Sequence, residues 1–473
     1  MGDYIEGSGR DQHTLFPEIL DDYITPDNPV RAIDAYVRGL DIEKLGFERS
    51  RPAETGRPGY DPRHLLALYI YGYVNDRRSS RKLERELHRN VELMWLLEKL
   101  QPDFKTIAEF RRRNLDALRG VFREFTLLCK KLDLFSAELV AIDGSKFRAV
   151  NARRRNFSRQ TLEKILPAVQ ARIDTFLQEI EQQDQTDLST VVREDQQKKL
   201  GSLRQRAAEV RAMLAELDRT GETQISRTDG ESRSMKVRVG NDVCFNAQSA
   251  VDEKHKLIVA VDVTNEGTDR NWLTTMALQA KEALGVEALA VVADKGYSSA
   301  REVKACLEHG ITPYVPKPET SANKELGLFV KDDFRYDAEA DTYKCPAGQT
   351  LTFRGESVEK GRPIRWYRTA ACKTCPIRSQ CTRSQSRKIT RHADEAVLEE
   401  MQRRVEARPD ILRKRKAIVE HPFGTMKRPM MQDHFLMKGL KKVRCEFSLS
   451  ALAYNFKRVI AIVGTADLLR ALA

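Results

Sequence analysis

The sequence predicts an α/β protein: a mixed sheet interrupted by a helical hairpin and by a small cysteine-rich insertion, with an all-α region in front of it. Three observations carry this. Residues 60–130 place apolar side chains at helical spacing, short apolar strand-like runs begin at Glu138, and two stretches of different character divide those runs. The units implied are a helical N-terminal domain (1–134), a first part of the core (135–160), a helical hairpin (161–224) and a second part of the core (225–318). A cysteine-rich, zinc-ribbon-like insertion (319–390) and a C-terminal segment of two helices completing the core (391–473) follow.

The N-terminal helices are DPRHLLALYIYGYV, SSRKLERELHR, VELMWLLEKL and a long segment from Lys105 to Lys131, with Pro62 and Pro102 where helix starts favour proline and Ser79 or Ser80 as a cap. From Glu138, ELVAIDGSKF reads as a strand ending on an aspartate and a glycine. VCFNAQSAVD and KLIVAVDVT flank the polar turn EKHK as an antiparallel pair; NWLTTMALQAKEAL is a helix, and LAVVAD and ITPYVP are further strands. Between them, Leu162, Ile165, Leu166, Val169, Ile173, Phe176, Leu177 and Ile180 face Leu200, Leu203, Ala207, Val210, Leu214 and Leu217 at coiled-coil spacing. That hairpin is either an arm for DNA or a second subunit, or a passive insertion. Residues 394–428 form a long basic helix pattern that stops near Pro422, and SLSALAYNFKRVIAIVG is a final helix docking on the core.

With 473 residues the chain exceeds one ordinary core, and 81 Lys and Arg against 69 Asp and Glu give a net charge of +12, which favours a polyanionic partner. No charged-then-apolar leader and no run of about 18 apolar residues is visible, so the expected location is the cytoplasm. Eight cysteines in so long a chain do not make a secreted disulfide framework. Four of them, Cys345, Cys372, Cys375 and Cys381, crowd into a C-x26-C-x2-C-x5-C spacing suited to structural zinc, while Cys129, Cys244, Cys306 and Cys445 sit in apolar contexts as packing residues.

Asp143 and Asp294 each close an apolar strand run, LVAID and LAVVAD, and each is followed by glycine one or two residues later. Carboxylates at neighbouring strand ends can converge on hard divalent ions, although such an aspartate is also a common turn-former. Glu420 lies in RKRKAIVEHPFGTMKR, where residues 401–428 hold nine Lys or Arg against three acids. His421, next to it, reads as a helix-end histidine with a structural hydrogen bond. After Asp143, GSKFRAVNARRRNFSRQ carries Lys146, Arg148, Arg153, Arg154, Arg155 and Arg159 and no acid, a run fit to hold a phosphate backbone. Arg77, Arg78, Arg81, Lys82 and Arg85, with Arg111, Arg112 and Arg113, form basic strips on the N-terminal helices.

The blocks LVAIDGSKFRA, LAVVADKGY and VEHPFGTMK resemble the three signature blocks of bacterial insertion-sequence transposases with an Asp-Asp-Glu site on a ribonuclease-H-like fold, and PDFKTIAEFRRR resembles the helical domain preceding that core. The resemblance spans nearly the whole chain. It implies Asp143, Asp294 and Glu420 as catalytic metal ligands for two Mg2+ ions, with Mn2+ as a substitute, acting on double-stranded DNA at terminal repeats and target. It further implies water and then a DNA 3′-hydroxyl as nucleophiles, a homodimer in the synaptic complex, and work on the bacterial nucleoid. In the family's Tyr-x2-Arg-x3-Glu-x6-Lys helix, Glu420 and Lys427 match, whereas Lys416 stands for the arginine and Arg413 for the tyrosine; Arg415 is the neighbour able to take over a phosphate contact. Tyr297 matches the aromatic after Asp294 and either stacks near the DNA end or packs on the core. The alternatives are a catalytically impaired DNA-binding descendant of a transposase and a plain metal-dependent nuclease.

Overall fold

The computed structural model describes residues 19–51, 59–151, 153–183, 190–318, 322–359 and 362–473. Six helices come first: α1 (Pro29–Arg38), α2 (Pro62–Val74), α3 (Ser80–Leu87), α4 (Val91–Leu96), α5 (Phe104–Arg113) and α6 (Leu115–Lys131). Asn28 and Asp61 cap α1 and α2 by accepting from Val30 N and Arg63 N, each with proline at the next position. Pro102 does not start a helix; Asp103 caps α5 by accepting from Thr106 N. The long segment expected from Lys105 breaks at Asn114, whose amide donates to Phe110 O and accepts from Glu48 N. Those side-chain bonds compete with the helical ladder.

The central sheet contains β1 (Leu139–Arg148), β4 (Arg233–Lys236), β5 (Asn241–Asp252), β6 (Ile258–Thr264), β7 (Leu289–Val292) and β8 (Ile311–Tyr314). β6 pairs β5 and β5 pairs β1, both antiparallel, while β1, β7 and β8 run parallel. The spatial order β6-β5-β1-β7-β8 therefore joins a meander to two parallel strands. β4 continues the β6 edge, since Cys244 pairs with Arg148 on one side and Arg233 on the other. Helices α9 (Leu273–Leu284) and α10 (Ala300–Glu308) supply the parallel crossovers. Between β1 and β4, β2 (Asn156–Ser158) and β3 (Gln224–Ser226) clamp the base of the hairpin α7 (Arg159–Gln183) and α8 (Thr190–Thr220). Leu162 packs with Leu217, and Val169 and Ile173 with Ala207, the antiparallel seam expected from spacing.

Past β8 come α11 (Ala322–Glu325), β9 (Arg335–Asp337), β10 (Thr342–Lys344), β11 (Thr350–Glu359), β12 (Arg362–Arg368), α12 (Arg378–Cys381) and β13 (Ile389–His392). These strands form a separate antiparallel sheet around Phe334, Tyr343, Leu351, Tyr367 and Ile389. The basic helix pattern is two helices, α13 (Glu395–Ala407) and α14 (Pro409–Lys427), and α14 does not stop at Pro422 but runs through it. Proline there forfeits one backbone hydrogen bond. Burial of Ile418, Val419, Pro422, Phe423 and Met426 on one side holds the helix together regardless.

The final helices are α15 (Leu440–Val463) and α16 (Thr465–Leu472). Nearly every α15 residue from Cys445 to Phe456 is buried, because the helix packs against α6 and α2 on one side and β6 on the other. Asn455 accepts from Ile258 N and donates to Ile258 O, stitching α15 to the sheet edge. The N-terminal helices and the sheet consequently share one hydrophobic core running from Ile24 to Leu468. Among the described residues no helix is long and apolar enough to cross a membrane.

Candidate active site

β1 and β7 pair in parallel as Leu139 with Ala290 and Ala141 with Val292. Asp143 and Asp294 each lie two residues beyond that last pair, so both carboxylates leave the same face of the sheet. Asp143 is not at a strand end, as the sequence suggested. It sits in the middle of β1, still paired antiparallel with Ser249 on β5, at the point where parallel pairing with β7 has ended. The splitting of β1 from β7 opens the space between the two aspartates.

Asp143 Oδ1 accepts from Gly144 N at 2.9 Å. Burial pushes its carboxyl up to about 7; the nearby charge of Arg415 opposes the shift, and Asp294 and Asp269 add to it. Asp294 also does the turn-forming work weighed against metal binding: its Oδ1 accepts from Gly296 N at 2.7 Å, capping the short turn Lys295–Tyr297. A side chain at Gly296 would place its Cβ 2.8 Å from that oxygen, which is why glycine follows at this spacing.

α14 lies over the same face. Lys427 Nζ donates to Ser145 Oγ at 2.6 Å and to Lys146 O at 2.8 Å, and stands 4.6 Å from the Phe147 ring centre, while Phe423 and Phe147 rings are 6.1 Å apart. Glu420 is seven residues before Lys427, roughly 20° away around the helix and about 10 Å back along it. It does not join the aspartates: its side chain is 64% exposed and lies 3.9 Å from Lys416 Nζ. Arg415, partly buried, and Lys427 are basic residues of α14 whose charges act on Asp143, whereas Arg413 and Lys416 face solvent. Among the described residues no set of three or more His, Cys, Asp or Glu side chains is gathered closely enough to hold a metal ion as it stands.

Several basic and aromatic residues have other occupations than DNA contact. Lys146 is turned to the opposite face, 3.7 Å from Asp269. Arg148 is held by Asp433 through its side chain and by the 433–435 backbone. Tyr297 is fully buried with its hydroxyl on Gln248 Oε1, so it packs on the core and is closed to a DNA base. Arg154 and Arg155 are exposed beside the hairpin base; the Arg153 side chain lies outside the described residues. On the N-terminal strips Arg78 and Arg111 are buried, and Arg112 and Arg113 share Glu109. His421 bonds Tyr454 Oη at 2.9 Å, the structural role expected.

The sequence reading missed the groups behind the site. Asn246, Gln248 and Ser249 are fully buried polar residues of β5; Asn246 and Gln248 bond Asp269, whereas Ser249 lies on the face of Asp143. Polar residues at alternate positions of VCFNAQSAVD were a signal available in the sequence. Ser249 Oγ, opposite Asp143, is buried without a hydrogen-bond partner.

The four clustered cysteines line one cavity of about 20 Å³ together with Phe329, Leu351 and Arg387. Burial pushes the Cys381 thiol up, Arg387 opposes this, and Cys372, Cys345 and Cys375 add to the rise. Cys345 Sγ accepts from Gln349 N at 3.3 Å in a turn completed by Gly348 at φ +77°. The other four cysteines are buried, as expected.

The strand order of the sheet, a three-strand meander joined to two parallel strands with paired aspartates on the inner ones, is that of a ribonuclease-H-like core. Residues 18–113 match the family model of a transposase domain, DUF772, and residues 344–460 match that of a transposase DDE domain. Two separate segments of the chain thus match transposase families, the C-terminal one of the DDE class. The second match takes in the cysteine cluster and α14 with Glu420 but begins only after Asp143 and Asp294. No curated protein matches. Among solved structures, a cryo-EM piggyBac transposase synaptic complex with hairpin DNA overlays 95% of this chain and 80% of its own at 9% identity and a TM-score of 0.34.

Proposed function

We propose that this transposase belongs to an insertion sequence, cleaves the ends of its element and joins them to target DNA by phosphoryl transfer on two Mg2+ ions held by Asp143, Asp294 and Glu420. The observation that carries this is the same-face pair Asp143 and Asp294, in which burial and the second acid hold Asp143 near pH 7. Two carboxylates so close favour a cation between them. The residues fit a hard one: the donors are carboxylate oxygens, and the partnerless Ser249 Oγ lies on the same face. Bound there, Mg2+ would polarise the scissile phosphate and activate the attacking hydroxyl.

The chain's own residues do the rest. Arg415 brings positive charge to the aspartates, Lys427 fixes α14 on β1, and Glu420 turns from Lys416 towards the pair once DNA and metal draw it in. Exposed Arg154, Arg155, Arg413 and Lys416 hold the phosphate backbone, so affinity falls steeply with salt. The DNA is double-stranded, at terminal repeats and target, and two copies act in the synaptic complex on the nucleoid in the cytoplasm. The N-terminal helices (1–134) bind the terminal repeats, and the hairpin (161–224) is an arm between core parts 135–160 and 225–318. The element's flanking DNA with Mg2+ tests this. Wild type should nick and join ends, and Asp143→Ala, Asp294→Ala or Glu420→Ala should bind without doing either. Binding without nicking by wild type points instead to a DNA-binding descendant, and nicking without joining to a nuclease.

The insertion at 319–390 is stabilised by zinc on Cys345, Cys372, Cys375 and Cys381. Four thiols around one cavity, with an amide donating to Cys345 Sγ, are the donor set of a tetrahedral sulfur site. Elemental analysis should find one zinc per chain, lost in Cys372→Ser; zinc-free protein with unchanged melting would overturn this.

A further inference from the structure

Behind the aspartate pair, on the opposite face of the sheet, lies a second carboxylate that the three-residue site does not use. In antiparallel register Gly144 faces Gln248 and Lys146 faces Asn246, so these four share one face while Asp143 and Ser249 share the other. Asp269, in the loop between β6 and α9, collects them. Its Oδ1 accepts from Asn246 Nδ2 at 2.6 Å and from Gln248 Nε2 at 2.7 Å, and Lys146 Nζ is 3.7 Å away. Gln248 Oε1 in turn accepts from the hydroxyl of Tyr297, three residues after Asp294. Asn246 and Gln248 are fully buried, as is Tyr297.

This places one connected set of hydrogen bonds beneath both aspartates. Its near end lies against Gly144, where a Cβ would come within 2.4 Å of both Asp269 Oδ1 and Gln248 Nε2. Glycine after Asp143 is thus required for the carboxylate to close against the strand. The far end is Tyr297, which fixes the turn capped by Asp294. Two strands that have stopped pairing with each other are held at a fixed separation from behind.

We propose that Asp269 is a positioning residue that sets the distance between Asp143 and Asp294 for metal binding, acting through Gln248 and Tyr297. The proposal rests on the reading of Asp143 and Asp294 as metal ligands. Groups that orient ligands in this way typically contribute 10–100-fold in metal affinity or activity. Asp269→Asn keeps size and one acceptor but removes the charge that orients two amides and Lys146.

The test is Mn2+ binding to the full-length protein, by calorimetry and by electron paramagnetic resonance, alongside metal-dependent nicking. Asp269→Asn should bind Mn2+ about 10–100-fold more weakly, and raising Mn2+ should restore nicking to it but not to Asp143→Ala. Tyr297→Phe, which removes a single hydroxyl and leaves the packing, should weaken Mn2+ in the same direction and serves if Asp269→Asn fails to fold. Wild-type Mn2+ affinity in either folded variant overturns the proposal. Wild-type affinity in Asp143→Ala overturns the metal assignment beneath it instead, so the two failures are separable.

Discussion

Asp143 is one aspartate of the candidate pair, partly buried in the middle of β1. Its folded-state carboxyl titrates near 7 against an ordinary 3.8, raised chiefly by burial. Because folding raises this pKa, the native chain binds a proton that the unfolded chain releases between about pH 4 and 7. Stability contributed by the protonated form is complete below the lower value and is lost as pH rises through the higher one. Asp143→Asn, which cannot ionise, should therefore melt at higher temperature than metal-free wild type at pH 8, by no more than about 4 kcal/mol at 1.36 kcal/mol per unit. The difference should vanish near pH 4. Thermal melts across that range check it, and a variant less stable than wild type at pH 8 would show that the ionised carboxylate is stabilised in place. At the same scale, the glycines after both aspartates were visible in the sequence, but their reasons were not. Gly144 answers to Asp269, distant in sequence, and Gly296 to the Asp294 side chain itself.

Among the elements, those with local signatures were legible. The meander β5–β6, the parallel strands, the hairpin seam and α15 followed from apolar periodicity and turn residues, because the cause lay within each segment. Three features depended on tertiary partners and were misread or missed. The break at Asn114 arises from a bond to Glu48. α14 survives Pro422 because its apolar side is buried, and this keeps Glu420 and Lys427 on one rigid rod. Asp143 lies inside β1 because β5 goes on pairing after β7 has stopped. For the candidate site, the nearness of the two aspartates was legible in the sequence, whereas the expected convergence of Glu420 on them is not seen. That Lys146 and Tyr297 serve the reverse face could not be read there, since the strand was read as ending at Asp143 and the partner of Tyr297, Gln248, is distant in sequence.

At the scale of the molecule, the N-terminal helices and the sheet are bound through a buried ion network instead of a linker. Glu446 on α15 is fully buried; it accepts from Leu436 N and Met437 N and pairs with Arg78 at 3.3 Å, and Arg78 also donates to His434 O. The segment so held leads from α14 to α15. Arg111 also acts on Glu446, so removing Arg78 weakens but does not abolish its compensation, at a cost of up to about 3–5 kcal/mol. Arg78→Ala should show that loss in denaturant unfolding, and a loss under about 1 kcal/mol would mean the charge is not buried as described. Of the three acids proposed as metal ligands, Glu420 alone is exposed and lies beside a solvent-facing lysine. Anomalous diffraction from the protein with Mn2+ and a cleaved DNA end tests the central claim most directly. Two manganese peaks flanked by Asp143 and Asp294, with Glu420 drawn from Lys416 onto one of them, are expected. Peaks elsewhere, or Glu420 still beside Lys416 with metal bound, would contradict it.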